Sequence, residues 1–304
     1  MYYFAIITSD FCPQAEMSLT SFFNYNDVIL HLFVVDSGYD KVKKHFSDKW
    51  YFDKLDIIDY YSEDFNQAIS KLQHAQIAEK DFPTSTRLST LNRFRIFDDV
   101  KENELTSIDL DVMYFGKIDF SNYQGAMNGS HEPSLNLAKP FHEIDFLINA
   151  GVCKYIKDKF NVKTSFTEEM FNRLQNDGPH YWLPDQDILN ELATCKCAIS
   201  EAILTRSMSY TPYLRIRALH YTTPFFKPWV IHPELQIQNQ PERILALGFL
   251  LYQRYAKRSK IFLKEADTNV AGLLKNSKDS VNFTIAANKI EFRRLCTEID
   301  SWKI

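Results

Sequence analysis

The sequence predicts an α/β protein with a mostly parallel central sheet, followed by a helical C-terminal appendage. Three observations predict it. Short apolar runs rich in β-forming residues alternate with helical periodicity through the N-terminal third. One apolar run is stopped by two carboxylates one residue apart, Ile108-Asp109-Leu110-Asp111. Beyond Pro241 the pattern is helical, apolar first and then basic.

Residues 2–8 (YYFAIIT) read as a buried first strand that stops at Ser9-Asp10. Pro13 opens a helix with Ala15, Leu19, Phe22 and Phe23 at helical spacing. Residues 29–35 (ILHLFVV) read as a second buried strand, stopped by Asp36-Ser37-Gly38. Strand, helix and strand with short connections make a right-handed parallel unit, whose ligands bind beyond the carboxyl ends of the strands. Thr8, Ser9, Asp10 and Asp36 lie on that rim. Residues 55–60 read as a third strand and 64–80 as a polar helix. Residues 85–100 read as a helix with Leu88, Leu91, Phe94 and Phe97 on one side, and with Arg93 and Arg95 between them. An arginine here either forks onto phosphate oxygens or is solvated on the helix surface.

That helix leads into residues 105–116 (LTSIDLDVMYFG). In an extended chain alternate residues share a face, so Asp109 and Asp111 point the same way and Leu110 points into the protein. Two adjacent anions are best held by a hard divalent cation, Mg²⁺ or Mn²⁺, which keeps positions open for phosphates. Standing alone, the same pattern is equally two solvated aspartates ending a strand.

Residues 124–128 read as a short strand, and 146–152 (FLINAGV) as another in which small residues mark either a ligand's close approach or a bulge at Gly151. Residues 157–176 are mostly helical. Within WLPDQDILNEL (182–192), Pro184 and Asp185 start a helix with Ile188, Leu189 and Leu192 as its buried stripe. Asp185 and Gln186 then occupy its first turn, facing the cleft. Residues 215–221 (RIRALHY) read as a strand ending in His220, either a satisfied structural histidine or the imidazole that completes an Asp, Asp and His set, and Lys227 follows seven residues on. Residues 244–252 (ILALGFLLY) are apolar all round, with Arg254, Lys257, Arg258, Lys260 and Lys264 after them. Such a helix is either buried under the main domain or laid on an anionic membrane surface. The last segment repeats helical spacing at Phe292, Leu295, Cys296 and Ile299.

At 304 residues the chain can bury a large core, read here as a main domain at 1–232 and a helical region at 233–304. Aromatic residues at 14% argue against disorder, and a net charge of −4 argues against a nucleic-acid partner. Five scattered cysteines and no leader before the first apolar run fit a reducing, cytoplasmic setting. Cys195 and Cys197 lack zinc-knuckle spacing and read as helix-end residues. No apolar run approaches the roughly 20 residues that span a bilayer.

Four strings in order resemble the retaining, GT-A-fold glycosyltransferases of family 8, the group of glycogenin and the bacterial lipo-oligosaccharide galactosyltransferases. They are IDLDV at 108–112, INAGV at 148–152, PDQDILN at 184–190, and LHY at 219–221 with KPW at 227–229. The resemblance spans residues 3–229, and its second half is far more specific than Asp-x-Asp alone. It implies a Rossmann-like nucleotide-sugar-binding domain in which Asp109, Asp111 and His220 bind Mn²⁺, with Mg²⁺ as the alternative. It further implies donor contacts from Thr8, Asp10, Arg93, Leu110, Asn149, Ala150 and Lys227, the lysine gripping the diphosphate. Asn149, Asp185 and Gln186 match residues around the transferred sugar. One departure stands out: Thr223-Pro224, with one added residue, occupies the place of a glycine between the family's His and Lys.

The activity so implied is transfer of galactose or glucose from a UDP-sugar to a hydroxyl of a glycan or glycolipid acceptor, with the donor's configuration kept. The setting implied is bacterial surface polysaccharide or lipo-oligosaccharide synthesis in the cytoplasm, with residues 241–264 as a peripheral contact on the membrane's inner face. Retention needs either a nucleophile, for which Asp185 and Gln186 are the candidates, or attack from the leaving group's side with a phosphate oxygen as base. Glutamine is a poor nucleophile, which favours the second. Two other readings compete. Asp109-x-Asp111 also resembles the nucleophile strand of haloacid-dehalogenase-type phosphatases, although several strands precede it here. A non-catalytic scaffold that binds nucleotide sugars would also keep the fold.

Overall fold

The computed structural model describes residues 1–76, 84–132, 147–177, 184–199, 201–204, 216–221, 227–229, 242–261, 263–287 and 289–304. In chain order these form β1 (Tyr2–Ile7), α1 (Cys12–Phe23), β2 (Leu30–Val34), α2 (Tyr39–Phe46), β3 (Leu55–Asp59), α3 (Glu63–Gln76) and α4 (Thr84–Asp99). There follow β4 (Glu104–Ile108), β5 (Val112–Tyr114), β6 (Met127–Glu132), β7 (Leu147–Ile156), α5 (Phe166–Asp177) and α6 (Pro184–Leu192). Last come β8 (Lys196–Ala198), β9 (Ala202–Leu204), β10 (Ala218–His220), α7 (Glu242–Ser259), α8 (Leu263–Ala287) and α9 (Lys289–Ser301). The chain divides into two compact units, and one of the points where it passes from the first to the second falls between Asp109 and Leu110.

The first unit comprises Met1–Cys12, Val28–Asp109 and Asp119–Ser200. It holds a seven-stranded sheet in the order β3-β2-β1-β4-β7-β6-β8. Strands β1 to β4 run parallel where they pair, β7 is antiparallel to both neighbours, and β8 is parallel to β6. As its apolar residues predict, β2 is buried at four of its five positions, His31 being the exception. On α4 the expected stripe is present: Leu91, Phe94 and Phe97 are buried. Phe97 meets Phe4 edge-on at 6.3 Å, a geometry that aromatic quadrupoles favour.

The small residues of β7 form a wide bulge. Gly129 of β6 pairs with Cys153 and His131 pairs with Ile148, so Asn149 to Val152 stand opposite Ser130 alone. Gly129 is glycine because a Cβ there would lie 2.9 Å from the carbonyl oxygens of both Asn149 and Val152. The bulge reading for INAGV thus holds.

Other expectations shift. The strand expected at 124–128 is Met127–Glu132, and Cys197 lies in the edge strand β8 rather than at a helix end. The expected helix at 157–176 is a 3-10 turn, Lys157–Lys159, and then α5. The turn is set by Lys157 Nζ, which donates to the Phe97 carbonyl at 2.9 Å and caps the end of α4.

The second unit comprises Pro13–Asp27, Leu110–Ile118 and Glu201–Ile304. Its three-stranded sheet has the order β5-β10-β9. Two serines of α1 stand in for a missing strand beside β5. Ser18 Oγ accepts from Val112 N at 2.8 Å and donates to Val112 O at 2.6 Å, and Ser21 Oγ accepts from Tyr114 N at 3.0 Å. This meets the requirement that buried main-chain groups be paired.

The apolar residues of α7 are spent inside this unit: Leu247, Phe249, Leu251, Tyr252, Tyr255 and Ala256 are all buried. Its basic residues are also engaged. Arg254 pairs with Asp300, Lys257 lies 3.6 Å from Asp267, and Arg258 donates to the carbonyls of Ile299 and Trp302. Burial is therefore the observed reading of the apolar-then-basic helix. Among the described residues, no helix is long and apolar enough to cross a membrane.

Candidate active site

The carboxylates do not sit in one extended strand. β4 ends at Ile108 and β5, in the other sheet, begins at Val112, so Asp109 to Asp111 form the turn by which the chain changes sheets. The alternation argument fails for that reason, although Leu110 is buried, as expected, at 4% exposure. With its side chain inside, Leu110 has only main-chain groups to offer a ligand.

In the second unit, Asp111 is the centre of a small charge cluster. His220 Nε2 lies 3.0 Å from Asp111 Oδ1, and Lys227 Nζ lies 2.8 Å from Asp111 Oδ2. The sheet sets this up, because His220 of β10 pairs with Val112 of β5 and Tyr221 N donates to Asp111 O at 2.9 Å. Tyr221 is itself anchored by its hydroxyl on Gly248 O at 2.8 Å. Burial pushes the Asp111 carboxyl up, but Lys227 and His220 pull it well below the usual carboxylate range.

In the first unit, the arginine read as phosphate-binding or solvated is buried rather than solvated. Arg93 is 3% exposed, and it donates to Asp185 Oδ2 at 2.5 Å and to Asp109 Oδ1 at 3.1 Å. Burial pushes the Asp185 carboxyl upward, while Arg93 pulls it down. Next along α6, Gln186 Oε1 accepts from Asn149 Nδ2 at 3.0 Å and from Ala150 N at 3.1 Å. The Ala150 carbonyl in turn accepts from Ser107 Oγ at 2.7 Å and Tyr155 OH at 2.9 Å. Asp109 is tied to the same bulge, its N–H donating to Gly151 O at 2.8 Å.

Leu110 alone separates Asp109 from Asp111, so covalent connection keeps the two carboxylates together. Asp109, Asp111 and His220 each offer a ligand atom, and these atoms lie within 4.8 Å of one another. Two carboxylate oxygens and an imidazole nitrogen at that spacing fit one divalent cation bound at roughly 2.0–2.6 Å. The residues therefore fit the ion that the sequence pattern implies.

Thr8 and Asp10 stand apart from these contacts, on the loop after β1. Thr8 O accepts from Phe11 N at 3.0 Å, and Asp10 is exposed. Their neighbour Ser9 joins the first two strand ends by donating its N–H to Asp36 Oδ2 at 2.8 Å. The departure at Thr223-Pro224 lies outside the described residues. Sequence reasoning missed Ser107, Tyr155 and Asn190. Of these only Asn190 carried a signal, since it lies four residues after Gln186 and so on the same helix face.

No protein-family model matches the chain, and no curated protein matches it. Solved structures do. The galactosyltransferase LgtC in complex with donor and acceptor sugar analogs is similar at 12% identity and a TM-score of 0.56, over 76% of this chain and 90% of that one. An active-site mutant of LgtC is similar at 13% identity and a TM-score of 0.57, over 82% of this chain and 96% of that one. The apo form of the glycosyltransferase GlyE of Streptococcus pneumoniae TIGR4 is similar at 16% identity and a TM-score of 0.51, over 80% of this chain and 59% of that one. At these identities the likeness is one of fold, and the chain has the fold of the GT-A glycosyltransferases.

Proposed function

We propose that the chain is a retaining, family 8-like glycosyltransferase that moves galactose or glucose from a UDP-sugar to a glycan or glycolipid hydroxyl, with Mn²⁺ as cofactor. The observation that carries this is the convergence of Asp109, Asp111 and His220 at the sheet-changing turn, within a fold shared with sugar-transferring enzymes. Asp109, Asp111 and His220 would hold the ion, which when bound neutralises charge gathering on the departing diphosphate.

The chain's own residues do the rest. Lys227, already beside Asp111, supplies a second positive charge to the leaving diphosphate. Asn149 of the β7 bulge and Asp185 and Gln186 of α6 orient the sugar, the last two fixed by Arg93 and the Ala150 amide. Asp185 is buried in its ion pair with Arg93, and Gln186 Oε1 already accepts two hydrogen bonds. Both are poorly placed to attack as nucleophiles. This favours attack by the acceptor hydroxyl from the side of the leaving group, its proton passing to a departing phosphate oxygen. A role in surface-polysaccharide assembly follows from the same proposal.

The test is hydrolysis of a panel of UDP-sugars with and without Mn²⁺. The expected outcome is slow release of UDP from UDP-galactose or UDP-glucose, abolished by EDTA and by Asp111→Asn. Equal rates with and without metal would overturn the reading.

A further inference from the structure

Asn190 lies outside every role assigned so far. It is 3% exposed, on the same face of α6 as Gln186 and one turn further on. Its carboxamide is used at both ends on a single residue of β7. Oδ1 accepts from Ile148 N at 2.8 Å, and Nδ2 donates to Ile148 O at 2.8 Å. Nδ2 also donates to Gln186 O at 2.9 Å, closing a loop with its own helix. A side chain that satisfies both the N–H and the carbonyl of one residue leaves the helix no freedom to slide along the strand.

The bonds continue from there without a gap. Ile148 precedes Asn149 and Ala150, both of which donate to Gln186 Oε1. Asn149 Oδ1 accepts from Gly151 N at 2.9 Å, and Gly151 O accepts from Asp109 N. On its β6 side the bulge faces Ser130 alone, so the Ala150 N–H and the Asn149 side chain are held by α6 instead.

We propose that Asn190 is a positioning residue. It sets the register of α6 on β7, and so places Gln186 and Asp185 relative to Asp109, where the carboxylate turn begins. For the reaction, this rests on the glycosyltransferase reading above. A shift of about 1 Å in groups that orient a substrate costs on the order of 100-fold in rate, so the clamp is worth building even though it touches no substrate.

Two variants test it. Asn190→Asp keeps the shape and the acceptor but turns a carboxylate onto the carbonyls of Ile148 and Gln186. Asn190→Leu keeps the volume and removes all three bonds, which guards against a charged variant that fails to fold. Amide hydrogen exchange on the metal-free protein reads the clamp without any assumption about activity. Ala150 and Gly151 should exchange at least about tenfold faster in both variants, and Ile148, whose N–H loses its acceptor, in Asn190→Leu, while the amides of β1 and β2 keep their protection.

UDP-sugar hydrolysis then reads the consequence. kcat should fall by roughly 10- to 100-fold, while the affinity for Mn²⁺ with UDP stays near that of the wild type, since Asn190 bonds none of the ion's ligands directly. A merely structural role would lower activity only in step with the folded fraction. Unchanged exchange at 148–151, or activity that tracks the folded fraction, would overturn the proposal. A wild type with no metal-dependent turnover would instead overturn the glycosyltransferase reading, and the exchange data would still decide the clamp.

Discussion

Arg93 Nη1 donates to Asp185 Oδ2 at 2.5 Å, and the two side chains are only 4% and 9% exposed. The pair is 92 residues apart in sequence and joins α4 to the first turn of α6. A buried arginine shared by two carboxylates is stable only as a set, because removing the cation leaves the buried Asp185 uncompensated with a second anion close by.

Arg93→Met should therefore destabilise the first unit by about 3–5 kcal/mol. Arg93→Lys should recover only part, because an ammonium cannot fork onto Asp185 and Asp109 together. Urea unfolding followed by circular dichroism measures both. An Arg93→Met midpoint equal to that of the wild type would contradict the ion-pair account.

Why was this pair invisible in the sequence when its surroundings were not? The stripe of α4 announces itself in Leu91, Phe94 and Phe97, and the start of α6 in Pro184 and Asp185, because caps and apolar periods are local signals. The partners of Arg93 are distant, so the same arginine reads as solvated until the sheet is assembled. The Asp109 and Asp111 pair was legible as chemistry but not as shape. Alternation assumes one continuous strand, whereas the chain leaves one sheet and enters another there. Short elements such as β9 have too few residues for any period, and α8, with a mixed polar surface over 25 residues, offers no clear stripe.

The depressed Asp111 carboxyl makes a pH prediction for the metal-free protein. A carboxylate whose folded value lies below its unfolded one contributes stability that is fully present above about pH 4 and is lost as the pH falls through the folded value. Lys227 is the strongest pull on it. In EDTA, Lys227→Met should thus be less stable than the wild type at pH ~7, with the gap narrowing below about pH 4. Thermal melts across that range measure it. A gap that widened toward acid would reverse the assigned sign.

Gly129→Ala should destabilise the protein by about 1–3 kcal/mol, because the new Cβ meets two main-chain oxygens of β7 at 2.9 Å and backbone cannot give way as a side chain can. Denaturant midpoints with an unchanged slope would register it. A neutral result would mean that the bulge is looser than its contacts imply.

Ser18→Ala removes the hydroxyl that serves both main-chain groups of Val112. Leaving a buried N–H unpaired costs about 1–3 kcal/mol. Val112 follows Asp111 directly, so loss of metal affinity should accompany loss of stability. Calorimetric titration with Mn²⁺ and UDP measures the first and thermal melting the second. Unchanged affinity would show that β5 does not hold the turn.

The claim on which the rest depends is that Asp109, Asp111 and His220 together bind a single divalent ion. The most direct measurement is the paramagnetic resonance signal of free Mn²⁺, titrated with protein in the presence of UDP. The account predicts that the signal falls to saturation at one ion per chain for the wild type, and stays near its protein-free level for Asp111→Asn and His220→Ala. A wild-type chain that left the signal unchanged, or variants that quenched it as fully as the wild type, would contradict it.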